Sequence, residues 1–211
     1  MTPALLQVLG RTTSINVRKV LWTCAEIGLE FDHVEWGIGG LSLQSPQFLA
    51  LNPNALVPVV IDGEFVLRES NTICRYLAAR HRRADLLPED AAARARVEQW
   101  MDWQATELNT SYRYAFLALV RKMPSHTDAA SIEASAASWN RYMTILDSAL
   151  QASGPYITGD RFTLADIVLG LSTHRWFSTP IDRPALAAVT EYYERLSSRP
   201  AFGRVARADL P

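Results

Sequence analysis

Every strand pattern in this 211-residue chain lies before residue 70, and the later periodic segments are all helical. Short apolar runs with strand character cover Ala4–Leu9, Phe31–Glu35, Pro58–Ile61 and Glu64–Leu67. The last two runs flank Asp62-Gly63, a pair that favours a tight turn between antiparallel strands. This uneven distribution predicts an α/β domain followed by an all-α domain.

Helical patterns separate the strands of the first domain. An apolar periodicity starts at Val17 after the polar loop Gly10–Asn16, and Gly28 stands where a C-terminal cap belongs. A further helix opens at Glu69–Thr72. The order is strand, helix, strand, helix, hairpin, helix. Parallel strands need a crossover and a hairpin adds antiparallel strands, so we predict a mixed four-stranded sheet.

The all-α domain shows four helical segments. Apolar positions between Val97 and Leu108 mark the first, and those between Trp139 and Leu150 mark the second. A capping box at Thr163–Asp166 opens the third, and Pro184 is expected in the first turn of the fourth. A polar segment containing Pro88 separates the two parts. We therefore predict domains at 1–84 and 91–211, joined by a linker at 85–90.

Composition narrows the class of protein and its partners. The net charge of −1 provides no basic surface for nucleic acid or anionic lipid. The first ten residues lack the pattern of a signal peptide or membrane span, and the two cysteines are expected as buried thiols. The four histidines show no metal-ligand spacing. We expect a cytoplasmic protein without nucleic-acid, membrane or metal partners.

Ordered motifs along the chain resemble those of the glutathione S-transferase family. In the first domain they are Asn52-Pro53-Asn54, Val57-Pro58 and Glu69-Ser70, and in the second they are Phe162–Ile167 and Arg199–Phe202. The segment Ser14–Val20 is similar to the bacterial theta, zeta and nu-like branch, with a serine in the N-terminal loop. The resemblance implies a thioredoxin-like domain followed by an all-helical domain, glutathione as co-substrate, and a homodimer.

The resemblance also implies a thiol partner in the N-terminal loop. Ser14 is expected to donate its hydroxyl hydrogen to the glutathione thiolate. Asn16 is the alternative, because in nu-class enzymes the asparagine takes this role. Both residue types also cap helices. Since the apolar periodicity starts at Val17, Asn16 is the better-placed cap, which leaves Ser14 free for the thiol.

Further residues are implied for binding glutathione. The family carries a cis peptide at Val57-Pro58, where the Val57 backbone would pair with the cysteinyl backbone. Ser70 would bind the γ-glutamyl carboxylate at a helix N-terminus, and Glu69 would face the ammonium group. Ser70 as a mere helix cap is the competing interpretation. Related enzymes often carry a lysine where this chain has Leu56, so the candidates for the glycyl carboxylate are Arg11, Gln44 and Asn54.

The predicted activity is attack of a glutathione thiolate on a small electrophile or a peroxide. A nu-like disulfide reductase and a non-catalytic binding protein of the same fold are the alternatives. Candidate residues for the electrophile pocket lie on helices expected to face the first domain; they are Tyr112, Arg113, Phe116 and Trp176, with His174 and Arg175 beside them. Asp166 is assigned to folding, because a capping-box carboxylate accepts backbone N–H groups.

Overall fold

The computed structural model describes residues 5–206 of the chain. Two compact units divide between Leu87 and Pro88. The predicted strand that starts at Ala4 therefore lies partly outside the described residues. None of the helices between residues 5 and 206 has the length and the apolar character that crossing a bilayer requires.

The first unit is built on a four-stranded mixed sheet, as the order of its elements predicts. The elements are β1 (Leu6–Leu9), α1 (Ile15–Ile27), β2 (Phe31–Val34), α2 (Pro46–Leu51), β3 (Val59–Asp62), β4 (Phe65–Arg68) and α3 (Ser70–Arg80). The strands follow the order β2-β1-β3-β4, with β1 parallel to β2 and antiparallel to β3, and β3 antiparallel to β4.

Burial differs between the centre and the edge of this sheet. Val8 and Val60 face each other in the ladder and are both fully buried, whereas β4 at the edge is largely exposed. Helix α1 packs against α3 and is capped after Ile27 by Gly28, whose φ of 80° and whose N–H bond to the Cys24 carbonyl confirm the predicted cap.

From Pro88 to Ala206 the second unit contains helices, apart from one isolated bridge in a turn. The segments are α4 (Ala91–Trp103), a π-helical segment (Gln104–Leu108), α5 (Asn109–Leu119), α6 (Ala129–Ser153), α7 (Leu164–Ser178), α8 (Ala187–Ser197) and α9 (Phe202–Val205). Helix α7 is buried around nearly its whole circumference.

The predicted start of α8 is wrong. The helix begins at Ala187 and not in a turn containing Pro184. Its first turn is held by a side chain from another helix, because the Val189 N–H donates to the Asp147 carboxylate on α6 at 3.0 Å. This contact joins residues that are 42 positions apart, so the local sequence gives no sign of it.

The capping box at the start of α7 is confirmed, and it is larger than the sequence indicates. Asp166 accepts the Thr163 N–H at 2.8 Å, the Ile157 N–H at 3.1 Å and the Tyr192 hydroxyl at 2.9 Å. Its side chain is fully buried, and this burial raises the pKa of Asp166 to about 6. One carboxylate therefore ties the preceding loop and α8 to the start of α7.

Candidate functional site

The sheet register brings three chain segments to one end of the first unit. Leu9 at the end of β1 pairs with Val59, and Val59 pairs with Arg68 at the end of β4. The loop before α1, the Val57-Pro58 peptide and the start of α3 each continue directly from this row of residues. Residues far apart in the sequence are thus gathered at one end of the strands, which is called the sheet edge below.

Gly10 closes the contact between two of these segments. Its backbone has a φ of 139°, a value that favours glycine, and a side chain at this position would collide with its neighbours. A Cβ atom added here would lie 2.6 Å from the Val17 Cγ2 atom and 2.8 Å from the Val57 Cβ atom. The turn after β1 therefore touches both the first helix and the Val57-Pro58 peptide.

Ser14 is the N-terminal cap residue of α1, with extended backbone angles. Its N–H donates to the Arg11 carbonyl at 3.1 Å, and its carbonyl accepts the Arg18 N–H at 3.0 Å. The half-buried Ser14 hydroxyl makes no hydrogen bond to any of residues 5–206. An uncommitted donor thus lies at the positive end of a helix.

The prediction that Asn16 caps this helix is wrong. Helix α1 begins at Ile15, which makes Asn16 its second residue. The buried face of the helix already includes Ile15, two positions before the periodicity that the sequence shows most clearly at Val17. Asn16 is half-buried in the first helical turn.

The Val57-Pro58 peptide is cis, as the resemblance implies. The turn that leads to it is shaped by Asn52, whose side-chain amide donates to the Leu56 carbonyl at 2.8 Å. Within the described part of the chain, the backbone N–H and C=O of Val57 take part in no hydrogen bond. Both groups are available to a ligand with an extended backbone.

Glu69 and Ser70 form the junction between β4 and α3. Ser70 is the first residue of the helix and Glu69 precedes it, so the interpretation of Ser70 as the cap residue is wrong. The φ of Glu69 is 71°, a strained value for a residue with a side chain. Ser70 is 8% exposed, and Glu69 is exposed. Backbone strain of this kind clusters at active sites and ligand-binding sites.

The three candidates for the glycyl carboxylate have different surroundings. Gln44 and Asn54 are exposed, and their backbone N–H groups bond within their own turns to Ser42 and Asn52. Arg11 is half-buried and follows Gly10 directly in the turn after β1. Among these candidates only Arg11 carries a charge.

The residues predicted for the electrophile pocket are mostly buried in the second unit. Tyr112, Phe116 and Trp176 are 1–5% exposed, whereas Arg113 is exposed. The guanidinium group of Arg175 lies 3.9 Å from the ring centre of Phe116 and donates to the Tyr112 hydroxyl at 3.3 Å. These contacts show how the aromatic side chains pack; the predicted role in substrate binding stays a prediction.

The chain's own thiols do not belong to this site. Cys24 and Cys74 are free, fully buried cysteines of α1 and α3, as the sequence predicts. Burial raises the pKa of Cys24 to about 12 and that of Cys74 to about 11. Neither sulfur is a reactive thiolate at neutral pH, so any thiol chemistry at the sheet edge needs an external thiol.

Three residues that were not predicted as site residues support the arrangement of the site. Gly10 permits the contact with Val57, Asn52 shapes the turn before the cis peptide, and Asn71 accepts a hydrogen bond from the buried Lys19 amine at 3.2 Å, which links α3 to α1. The strand-end position of Gly10 is a signal in the sequence. The other two depend on contacts across the fold.

Comparison with known proteins assigns the family. The model of the glutathione S-transferase N-terminal domain matches residues 5–79, and that of the C-terminal domain matches residues 110–200. Glutathione S-transferase GstB of Escherichia coli K12 is 35% identical over 202 residues, which cover 93% of this chain and 95% of GstB. The chain belongs to the glutathione S-transferase family.

Other members of the family agree with this assignment. Glutathione S-transferase 3 of Zea mays is 34% identical over 98% of this chain and 96% of its own. The crystal structure of the theta class glutathione S-transferase from Xanthomonas axonopodis pv. citri with glutathione bound has a TM-score of 0.92 and 38% identity, with all of both chains covered. The predicted fold class of the transferase is thereby confirmed.

Proposed function

We propose that this glutathione S-transferase binds glutathione at the sheet edge of its first unit and uses Ser14 to stabilise the thiolate. The observation that carries the proposal is the Ser14 hydroxyl at the N-terminus of α1, which has no hydrogen-bond partner among residues 5–206. A hydroxyl can rotate to donate to sulfur, and the helix end adds partial positive charge.

The free energy needed to lower the pKa of the bound thiol can be supplied by these two groups. A free thiol has a pKa near 8.5, and lowering it by about two units requires about 2.7 kcal/mol of preferential stabilisation of the thiolate. A hydrogen bond to a charged group contributes about 1.5–3 kcal/mol. One bond from Ser14 therefore supplies most of the shift, and the N-terminus of α1 supplies the remainder.

The tripeptide has a binding partner for each of its first two residues. The cysteinyl backbone pairs with the free N–H and C=O of Val57 beside the cis peptide. The γ-glutamyl carboxylate binds Ser70 and the N–H groups at the start of α3, and the ammonium group faces Glu69. This orientation places the sulfur next to the start of α1.

The transfer step follows from the thiolate. Its sulfur attacks an electrophilic carbon of a small substrate, a carbon–sulfur bond forms, and the leaving group departs with the electron pair of the broken bond. The proton of the thiol passes to solvent before the attack. With a peroxide substrate the sulfur attacks an oxygen instead, so that an S–O bond forms and the O–O bond breaks. The alkoxide leaves with the electron pair and takes a proton from solvent; glutathione is thereby oxidised to its sulfenic acid and the peroxide is reduced to an alcohol.

Several finer features belong to this proposal. We place the chain on the serine-type, theta-like branch, in the cytoplasm, as a homodimer with a detoxifying role. We also keep Tyr112, Arg113, Phe116 and Trp176 as the electrophile pocket, and domain limits at 1–84 and 91–211.

The half-buried position of Asn16 in the first turn of α1 supports a second candidate function, a nu-like disulfide reductase in which Asn16 binds the sulfur.

A titration of bound glutathione tests the proposal. Glutathione at a hundredfold excess over its dissociation constant should stabilise the protein by about 2.7 kcal/mol. Ultraviolet thiolate absorbance, followed against pH, should show a bound thiol with a lowered pKa. Ser14→Ala should raise that pKa towards 8.5 while glutathione affinity stays nearly unchanged.

Asn16→Ala is the matched control for this titration. If Asn16→Ala raises the pKa of the bound thiol and Ser14→Ala does not, at equal folded stability, the two roles are exchanged and the reductase becomes the better candidate. A wild-type protein that shows no stabilisation in millimolar glutathione rules out the glutathione site itself.

A further inference from the structure

A cavity of about 520 Å³ lies in the second unit, between the C-terminal end of α6 and one face of α8. Its lining residues differ from those proposed for the glutathione site and for the electrophile pocket. Ligand pockets have volumes of about 300–1,000 Å³ and are often found between packed helices. The cavity is therefore large enough for a small organic molecule.

Apolar side chains form a large part of the cavity wall. Leu150 is 4% exposed and the Tyr192 ring is fully buried, so both present a fixed surface. Helix α8 places two small residues, Ala187 and Ala188, in its first turn, and Pro155 lines the cavity from the loop after α6. The small residues leave space between the two helices that a larger side chain would fill.

Two opposite charges stand on the same cavity wall. Glu191 and Arg195 both line the cavity and are four residues apart on α8, about 6 Å along the helix axis. Opposite charges at this spacing commonly pair with each other. Here the Arg195 Nη1 atom donates instead to the Pro155 carbonyl at 2.8 Å. The Glu191 carboxylate has no hydrogen bond or ion pair with residues 5–206.

We propose that this cavity binds a free α-amino acid with a large apolar side chain. Such a molecule carries an ammonium group and a carboxylate on one carbon, which matches the separate charges of Glu191 and Arg195. The ammonium group donates to Glu191, and the carboxylate accepts from the N–H groups that Arg195 does not give to Pro155. The side chain lies against Leu150 and the Tyr192 ring.

A ligand in this cavity acts on the junction of α6 and α8. Gln151, which lines the cavity, donates to the Asp147 Oδ2 atom at 2.7 Å, and the Asp147 Oδ1 atom accepts the Val189 N–H in the first turn of α8. A molecule that contacts both helices adds to this junction. Since the cavity exists only in the folded protein, binding should raise the melting temperature.

Calorimetry on the full chain with four probe molecules provides the test. L-Phenylalanine carries both charges and an apolar side chain. L-Phenylalaninamide lacks the carboxylate, N-acetyl-L-phenylalanine lacks the ammonium group, and glycine lacks the side chain. The proteins are the wild type, Glu191→Gln, Arg195→Gln and Glu194→Gln, the last an exposed glutamate of α8 outside the cavity lining that serves as the control.

The wild type should bind phenylalanine about 10-fold more tightly than phenylalaninamide or N-acetylphenylalanine, as expected for one hydrogen bond to a charged group at each end. Glu191→Gln should abolish only the preference over N-acetylphenylalanine, and Arg195→Gln only the preference over phenylalaninamide. Each preference is a ratio measured in one protein, so a general loss of packing cancels. Glycine should bind more weakly than phenylalanine, and Glu194→Gln should match the wild type.

The proposal is overturned if phenylalanine does not bind in the millimolar range, if the three phenylalanine ligands bind the wild type equally, or if either preference survives its substitution. Competition between phenylalanine and glutathione also overturns it, because phenylalanine then occupies the proposed γ-glutamyl position at the sheet edge. A protein that binds phenylalanine as expected but not glutathione contradicts the glutathione site alone. The reverse result contradicts the cavity assignment alone.

Discussion

The N-termini of three helices differ in how their polar groups are used. At α7, the buried Asp166 carboxylate accepts hydrogen bonds from Thr163, Ile157 and Tyr192. At α1 and α3, the cap residues Ser14 and Glu69 make no side-chain cap hydrogen bond, and the hydroxyls of Ser14 and Ser70 bond to none of residues 5–206. The first arrangement stabilises the fold. The second leaves donors free for a ligand, at a cost in stability.

This contrast predicts that mutations at the two places change different properties of the protein. A change at α7 should lower the free energy of unfolding and leave the affinity of the folded protein for glutathione intact. Changes at the start of α3 should lower glutathione affinity, and a change at Ser14 should raise the pKa of the bound thiol, both with little change in the free energy of unfolding. Each experiment below therefore needs both measurements.

Asp166→Ala should have the largest effect on stability, a loss of about 3–5 kcal/mol, because several buried donors lose their acceptor at once. Chemical denaturation measures the loss. Asp128→Ala is the matched control, since Asp128 caps α6 at the surface through the Ser131 N–H, and its removal should cost about 1 kcal/mol. Equal losses for the two variants would contradict the distinction between a buried and an exposed cap.

Ser70→Ala should weaken glutathione binding by about 1.5–3 kcal/mol, the range for a hydrogen bond to a charged group. The free energy of unfolding should change by less than about 0.5 kcal/mol, since alanine is a good helix former at the first position of α3. Calorimetry and denaturation give the two values. Ser148→Ala on the exposed face of α6 should change neither. Unchanged affinity in Ser70→Ala would remove Ser70 from the site.

The contrast also explains which features the sequence could predict. The hairpin across Asp62-Gly63, the Gly28 cap and the capping box of Asp166 were predicted because their signals lie within a few residues. The start of α8 was missed because Asp147 fixes it from another helix. The π-helical segment at Gln104–Leu108 interrupts a pattern that predicts one regular helix, and the buried Gln104 side chain bonds there to Ser172 on α7.

For the candidate site, the sequence supplied the residues and the fold supplied their arrangement. Val57 and Ser70 carry recognisable motifs, so the resemblance identified them. The Nε atom of Arg11 is buried without a hydrogen bond to residues 5–206, and the side chain lies beside Gly37, a neighbour that the local sequence does not indicate. The family and the enzyme class predicted from the sequence are confirmed by the comparisons. The roles of individual residues stay predictions.

Two substitutions of Glu69 separate the effect of backbone strain from the effect of charge. Its φ of 71° costs about 1–3 kcal/mol in a residue with a side chain, and glycine adopts such a value without that cost. Glycine loses about 0.5–1 kcal/mol more entropy on folding. Glu69→Gly should therefore stabilise the free protein by about 1 kcal/mol, as measured by denaturation, while it weakens glutathione binding through loss of the carboxylate.

Glu69→Gln is the control that isolates the charge. It keeps the side chain and the strained backbone, so the free energy of unfolding should match the wild type, but glutathione affinity should fall as it does in Glu69→Gly. Two variants with equally reduced affinity and different stability would show that the strain at the start of α3 is maintained by the need to present a carboxylate to the ligand's ammonium group. If Glu69→Gly binds glutathione as tightly as the wild type, or is less stable than Glu69→Gln, the strained backbone has no connection with binding.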